Sequence, residues 1–257
     1  MNGQMYQICY LTAAVKKALK EKSAISYISY KYENRMEFQF LPEKSLFNSR
    51  NYIAENVPAW YDKCVKNGLQ DVMFLAPVDV KDRRFLGLSN TTQSSLACFY
   101  KGGKVTCFCA QWKFDSAQTM WDVLYTEEKQ NNFPTRKPRF ENNTDRFKSV
   151  LSEIKELALK IECEQYAAVF QKALDILLGS TDYLDASYQL PLPEIPDENL
   201  HIFEAASTAD VFGAMGSWND DPPYMAHVKG MDKEYERLSG ELLKQVRLAA
   251  LYAINEW

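Results

Sequence analysis

Residues Ser94–Trp112 read SSLACFYKGGKVTCFCAQW, and this stretch decides the predicted fold. Two apolar runs flank Gly102-Gly103, which is typical of a tight β-hairpin because glycine adopts the positive φ angles of a two-residue turn. Such a loop also sets the register, which would pair Lys101 with Lys104, Tyr100 with Val105, Cys98 with Cys107, and Leu96 with Cys109. Both faces are then apolar, so we expect the hairpin in the interior of a sheet.

Around this hairpin, the N-terminal half shows further helix and strand patterns. Apolar residues three or four apart predict a helix around Ile8–Leu19. Alternating aromatic and β-branched residues predict a second hairpin, formed by Ala24–Tyr32 and Met36–Leu41. The remaining predictions are a helix within Ser49–Asn67 that is interrupted before Pro58, a strand at Asp71–Ala76, and a helix that follows a capping box at Asp115 and Gln118.

The C-terminal half reads as helical. Residues Glu127–Thr144 are polar, contain two prolines and lack periodicity, so we place a domain boundary near residue 140. The predicted helices are an antiparallel pair, Phe147–Ile161 and Tyr166–Leu177, then a short helix at Leu200–Val211 and a long one at Asp232–Glu256, with an extended stretch at Leu184–Asp197. The sequence thus predicts an α+β fold: residues 1–140 form a mostly antiparallel sheet of about five strands with flanking helices, and residues 141–257 form a helical domain.

Charge is distributed unevenly along the chain. The total is −4, but residues 1–129 carry +4 and residues 146–257 carry −9. From Ala173 to Val228 there are ten acids and no Lys or Arg, so this segment cannot neutralise itself. We take as the candidate partner surface Asp182, Asp185, Glu194, Asp197 and Glu198. It would either face a basic partner or dock on the basic N-terminal half, and nucleic acid is a disfavoured partner because phosphates require clustered Lys and Arg.

The sequence points to the cytoplasm. The first residues lack the basic region of a signal peptide, and the apolar run that follows is broken by Gln7 and Thr12. No span of eighteen apolar residues is present, so we expect no membrane insertion. The six cysteines are then expected to be free thiols in a reducing compartment.

The segment at 213–223, GAMGSWNDDPP, has the most unusual composition in the chain. The candidate binding loop comprises Gly213, Gly216, Ser217, Trp218, Asn219 and Asp220. In one interpretation Asn219, Asp220 and Asp221 supply oxygen ligands to Ca²⁺ or Mg²⁺. In the other the loop is structural, since glycines permit positive φ, Asn and Asp side chains form local turns, and Trp218 fills the core. The structural interpretation is favoured, and no lysine follows the glycines as a phosphate-binding loop requires.

The stretch FGAMGSWND at 212–220 resembles the Phe-Gly-Gly-Met-Gly-Ser-aromatic-Asn-Asp segment of small helical bacterial proteins, some of which are encoded near polymorphic-toxin immunity genes. Ala214 stands where that family usually has its second glycine, and the double proline after Asp221 departs from the pattern. The resemblance extends at most over residues 146–257. It implies a helical domain and an immunity or defence context, and it assigns no catalytic residue.

Other residues that could carry chemistry have simpler structural explanations. Cys98, Cys107 and Cys109 on one hairpin face could hold a metal, and Cys98 with Cys107 could form a disulfide, but buried thiols are common in protein cores. Neither His201 nor His227 lies in a zinc-site or catalytic-triad spacing. An enzymatic alternative would combine His227 with Asp220, Asp221 and Ser217, with only their sequence proximity to support it.

We therefore expect a non-enzymatic bacterial cytoplasmic protein that binds a basic protein, such as a toxin or effector, through the acidic surface. We expect no cofactor, because no cofactor motif is present. The alternative is a metal- or small-ligand-dependent enzyme that uses the 213–221 loop. A third possibility is that the acidic segment only neutralises the N-terminal half, and the oligomeric state stays open.

Overall fold

The computed structural model describes residues 1–42, 52–80, 82–88, 90–128, 136–181, 191–213 and 215–257. Within those residues the N-terminal half forms a sheet and the C-terminal half is helical, so the fold class is α+β, as predicted. The strands are β1 (Glu33–Gln39), β2 (Ile53–Ala54), β3 (Leu69–Leu75), β4 (Ser95–Tyr100), β5 (Val105–Asp115) and β6 (Met120–Glu128). The helices are α1 (Gly3–Glu21), α2 (Val57–Lys66), α3 (Thr144–Lys160), α4 (Glu164–Leu177), α5 (Asp197–Ala209), α6 (Asp221–Val228) and α7 (Asp232–Asn255), with a 3₁₀ turn at Arg83–Gly87.

The six strands lie in the order β2-β1-β6-β5-β4-β3. Only β1 and β6 run parallel, and the other neighbouring strands are antiparallel, so the predicted mostly antiparallel sheet is confirmed. The β4–β5 hairpin is confirmed as well. It occupies an interior position between β3 and β6, which explains why both of its faces are apolar.

The predicted register of the β4–β5 hairpin is wrong by one residue. Cys98 lies opposite Thr106, and Ala97 lies opposite Cys107. The loop contains three residues rather than two. The Lys101 backbone N–H donates 2.8 Å to the carbonyl of Gly68, which lies between α2 and β3, so Lys101 does not pair with β5. Cys98 therefore faces the opposite side of the sheet from Cys107, which excludes the cross-strand disulfide considered above.

The predicted strand at Ala24–Tyr32 is also wrong, because residues 23–30 have no regular secondary structure. Both edges of β1 are already paired, one with β2 and the other with β6, so no edge is free for this segment. Its aromatic side chains pack individually instead. The Tyr27 ring lies 5.4 Å from that of Tyr10, and its hydroxyl donates to Glu33.

The predicted helix before β3 needs correction at its start. The helix within Ser49–Asn67 begins at Val57 rather than being interrupted before Pro58, and part of the predicted range (49–51) lies outside the described residues. The Asn56 side chain caps this helix by accepting a 2.9 Å hydrogen bond from the Ala59 N–H, and proline is well tolerated in a first turn.

The residues after Asp115 form strand β6 rather than a helix. The Asp115 carboxylate accepts from the backbone N–H groups of Ala117 and Gln118, as a helix cap would, but here it stabilises the turn between β5 and β6. Thr119, at φ +56°, then reverses the chain. The same local hydrogen bonds serve both structures, so the capping pattern alone could not distinguish a helix from a hairpin.

The helices of the C-terminal half agree with the periodicity of the sequence. The predicted pair corresponds to α3 and α4, and the predicted short and long helices correspond to α5 and α7. Helix α6 was not predicted, and residues 182–190 of the expected extended stretch lie outside the described residues. In the part of the chain that the structure describes, no helix combines the length and apolar character required to cross a bilayer.

One hydrophobic cluster joins the two halves of the described chain. It includes the stacked rings of Phe38, Trp60 and Tyr125 on the sheet side and buried residues of α3, α4, α5 and α7. The buried Asn255 side chain fixes α7 to the edge strand β3, since it accepts from the Phe74 N–H at 2.9 Å and donates to the Phe74 carbonyl at 2.8 Å. The division near residue 140 stays a prediction.

Candidate functional site

The loop at 213–221 is anchored by Trp218, which is fully buried. The indole N–H of Trp218 donates 2.8 Å to the Ser239 hydroxyl, and the Trp218 carbonyl accepts 2.6 Å from the Tyr235 hydroxyl. Rings of Tyr166, Phe170 and Tyr235 surround the indole at centroid distances of 5.1–5.5 Å. These contacts hold the loop against α4 and α7.

Several polar groups of the loop bond to one another. The Ser217 hydroxyl donates 2.9 Å to the Gly213 carbonyl, and the Asp220 carboxylate accepts 2.9 Å from the Gly216 N–H. Gly216 has φ +71°, a conformation that favours glycine. The Asn219 amide donates 3.2 Å to the Arg83 carbonyl and so connects the loop to the N-terminal half.

The three candidate metal ligands therefore have different environments. The Asn219 amide donates to the Arg83 carbonyl, and the Asp220 carboxylate accepts from the Gly216 backbone N–H. Asp221 is exposed at the start of α6. Among the described residues, no three His, Cys, Asp or Glu side chains are grouped so that they could hold a metal ion. The arrangement fits the structural interpretation of the loop better than the metal-binding one.

We expect Asp220→Ala to lower the free energy of unfolding by about 1 kcal/mol, because the Gly216 N–H loses a charged acceptor. Urea unfolding with and without CaCl₂ or MgCl₂ checks this. Met215→Ala is the control, since it removes a side chain of the same loop that is 96% exposed and is not a candidate metal ligand. A metal-dependent rise in wild-type stability that Asp220→Ala abolishes would instead support the metal-site interpretation.

The loop forms one wall of a cleft of about 530 Å³ between the two halves of the chain. We call it the aromatic cleft. Its other walls come from the start of α1, the 3₁₀ turn, the ends of β5 and β6, and α4. The residues that line it include Tyr30, Trp112, Trp121, Tyr166, Phe212, Asp210 and Ser217. A concave site of this size that combines aromatic and polar groups is a common location for ligand binding.

Asp210 contributes the acidic group of the aromatic cleft. It follows the last residue of α5, and its backbone N–H donates to the Ala206 carbonyl at 3.1 Å. Within the described residues its carboxylate accepts no hydrogen bond and forms no ion pair. Asp210 is one of the ten acids between Ala173 and Val228, and no local sequence pattern distinguishes it from the others.

The candidate partner surface is only partly described. Asp182 and Asp185 lie outside the described residues. Glu194 forms an ion pair with Lys17 of α1, whereas Asp197 and Glu198 are exposed in the first turn of α5. Carboxylates in the first turn of a helix interact favourably with its dipole, so these two also stabilise α5.

The structure does not join the residues of the enzymatic alternative. His227 Nδ1 lies 2.9 Å from the Asp232 carboxylate at the surface, while Ser217 donates to Gly213 and Asp220 accepts from Gly216. The structure also weakens the interpretation of the hairpin cysteines as a metal site. Burial raises the pKa of Cys107 and of Cys109 to about 12, and thiols that stay protonated are poor nucleophiles and ligands.

A buried carboxylate that no sequence pattern distinguishes lies in α5. Burial raises the pKa of Glu204 to about 7, although the hydrogen bond from the Tyr6 hydroxyl, at 3.1 Å, favours the ionised form. The amino group of Met1 and Lys172 also lower this pKa through their charges. Glu204 is thus a carboxyl group that changes its charge near neutral pH.

Comparison with protein-family models, curated proteins and solved structures found no match to this chain. The fold class and the candidate sites are therefore described from the geometry of the chain itself. It is an α+β protein with a mixed six-stranded sheet, an anchored Trp218 loop and an aromatic cleft between sheet and helices.

Proposed function

We propose that this protein is a non-enzymatic binding protein that captures a basic protein partner through the acidic surface of residues 173–228. One observation carries the proposal. Of the eight described acids in that segment, Glu194 alone forms an ion pair with another described residue. The others are Asp175, Asp197, Glu198, Asp210, Asp220 and Asp221, which are at least partly exposed, and Glu204, which is buried and does not contribute to the surface.

The lack of neutralisation favours an external partner over the intramolecular explanation. If the segment served to neutralise the basic half, several of its acids would contact Lys or Arg of residues 1–129. The Lys17–Glu194 pair is such a contact, but Asp197 and Glu198 are exposed without an ion pair in the described chain. An unpaired acidic surface attracts basic proteins and raises their rate of association.

The resemblance of residues 212–220 to a segment of bacterial proteins found near toxin-immunity genes supports a bacterial, cytoplasmic protein with a role in immunity or defence. In that setting a basic toxin or effector is the partner that the charge favours. The enzymatic alternative that uses the 213–221 loop draws less support, because the polar groups of that loop are occupied by structural hydrogen bonds.

We expect neutral amides at the candidate partner surface to reduce partner capture by about tenfold or more. The variant replaces Asp182, Asp185, Glu194, Asp197 and Glu198. Tagged wild-type and variant proteins would be incubated with lysate of the source organism at low and high salt, and the retained proteins would be quantified by mass spectrometry. A basic protein should be retained by the wild type and released by salt, since screening weakens the attraction between exposed charges.

A matched variant tests whether position or total charge matters. It removes the same number of acids elsewhere, with amides at Glu55, Asp62, Asp79, Glu128 and Glu141, all of which are exposed. We expect this control to retain the partner. Equal capture by wild type and both variants, or loss only in the control, would contradict the proposal. Thermal unfolding of each protein separates lost binding from lost folding.

A further inference from the structure

We propose that the aromatic cleft binds an organic cation of the alkylammonium class, held between its aromatic rings and the Asp210 carboxylate. Asp210 belongs to the acidic segment 173–228 but is not one of the five residues of the candidate partner surface, so the experiments on the cleft can fail without the proposed function failing. The same chemistry occurs in free amines and at the end of a lysine side chain. The experiment below distinguishes these two sources.

The walls of the aromatic cleft are rich in aromatic side chains. Five aromatic residues of the described chain line the aromatic cleft: Tyr30, Trp112, Trp121, Tyr166 and Phe212. The rings of Trp112 and Trp121 lie 5.9 Å apart and are inclined by 68°, so they form a corner rather than a flat stack. Aromatic faces attract cations, and sites for alkylated ammonium groups are typically formed by several such rings.

The aromatic cleft also contains a negative charge. Asp210 lines the same cleft, and its carboxylate has no hydrogen-bond or ion-pair partner among the described residues. It also lies directly after the last residue of α5, where the helix dipole places partial negative charge. A carboxylate at a helix C-terminus is unfavourable by itself, and a bound cation would compensate both charges.

Two cationic groups of the chain lie near Asp210. These are the amino group of Met1, which donates to the Ser207 carbonyl, and the buried Arg247, whose guanidinium donates 3.4 Å to the Thr92 carbonyl. Both are close enough for Asp210 to raise their pKa values, but neither forms an ion pair with it. Burial lowers the pKa of the Met1 amino group. This amino group is engaged with the Ser207 carbonyl and leaves the Asp210 carboxylate unpaired.

Isothermal titration with choline and with 3,3-dimethylbutan-1-ol tests the proposal. The two molecules have the same shape, but only choline is charged. We expect choline to bind at least about tenfold more tightly than its neutral analogue, because the rings and Asp210 recognise charge. Tryptophan fluorescence should change with the same midpoint, since Trp112 and Trp121 line the cleft.

A parallel titration with N-acetyl-lysine methylamide identifies the source of the cation. Tighter binding of choline indicates a free alkylammonium ligand, whereas tighter binding of the lysine derivative indicates a side chain of a partner. Either result supports the alkylammonium class, provided that the neutral analogue binds more weakly than the cation.

Two substitutions assign the binding to the aromatic cleft. We expect Asp210→Asn and Trp121→Leu each to weaken binding of the preferred cation by about tenfold. Asp197→Asn is the control, because it removes an exposed carboxylate at the opposite end of α5. Equal binding of choline and its neutral analogue, no binding of either cation, or unchanged affinity in a folded Asp210→Asn variant would overturn the proposal.

Discussion

Trp218→Ala is expected to lower the free energy of unfolding by about 3–5 kcal/mol, as is typical when a large aromatic side chain is removed from a core. Trp218 is fully buried, and its indole contacts the rings of Tyr166, Phe170 and Tyr235. The substitution also leaves the buried Ser239 hydroxyl without the indole donor. Urea unfolding followed by circular dichroism measures the effect.

Two further substitutions separate the contributions of Trp218. Trp218→Phe keeps an aromatic ring but removes the indole N–H, so it should cost less than Trp218→Ala. Met215→Ala, in the same loop, is the surface control, since Met215 is 96% exposed and should change stability by less than about 0.5 kcal/mol. A small loss from Trp218→Ala, comparable with that from Met215→Ala, would mean that the loop is not anchored as the structure indicates.

The core role of Trp218 is one of the features that the sequence could predict. A tryptophan between glycines and turn-forming residues has few uses other than packing or binding, and the structure places it in the core. The long apolar stripe of α7 was equally informative, because a period near 3.6 residues over 24 residues has no common alternative. In both cases the deciding information is local in sequence.

Errors arose where a distant group determined the local structure. The β4–β5 register depends on Gly68, whose carbonyl accepts from the Lys101 N–H, and nothing in Ser94–Trp112 indicates that bond. Likewise, Ala24–Tyr32 has strand-like alternation, but β1 already pairs on both edges. Local patterns can suggest that a strand is possible without showing that a partner edge is free.

The aromatic cleft illustrates the same limit for function. Its rings come from the segment before β1, from β5, β6 and α4, and from Phe212 after α5, and its carboxylate also follows α5. Trp112 ends the predicted hairpin, Trp121 falls in the helix predicted after Asp115 and Gln118, and Asp210 is one acid among ten. Only the packing of the helices against the end of the sheet brings these groups together, and no spacing in the sequence encodes that packing.

Stability is expected to fall by about 3 kcal/mol as the pH rises from 4.5 to 7, because of Glu204. Its carboxyl group has an ordinary pKa of 4.5 in the unfolded chain and a pKa of about 7 when buried in α5. The folded state therefore binds the proton more tightly. The stabilisation is complete below the unfolded pKa and is lost as the pH passes the folded pKa.

Glu204→Gln should remove this dependence, since the amide is neutral at every pH and its oxygen can still accept from the Tyr6 hydroxyl. We expect the variant to be more stable than the wild type at about pH 8 and similar to it near pH 4.5, with the difference between the two curves growing across that interval. Urea midpoints measured as a function of pH provide the comparison. Glu198→Gln, an exposed position on the same helix, should follow the wild-type curve. If the Glu204→Gln and wild-type curves stayed parallel, Glu204 would be ionised in the folded protein throughout, and the buried Tyr6 hydrogen bond together with the Met1 and Lys172 charges would outweigh its burial.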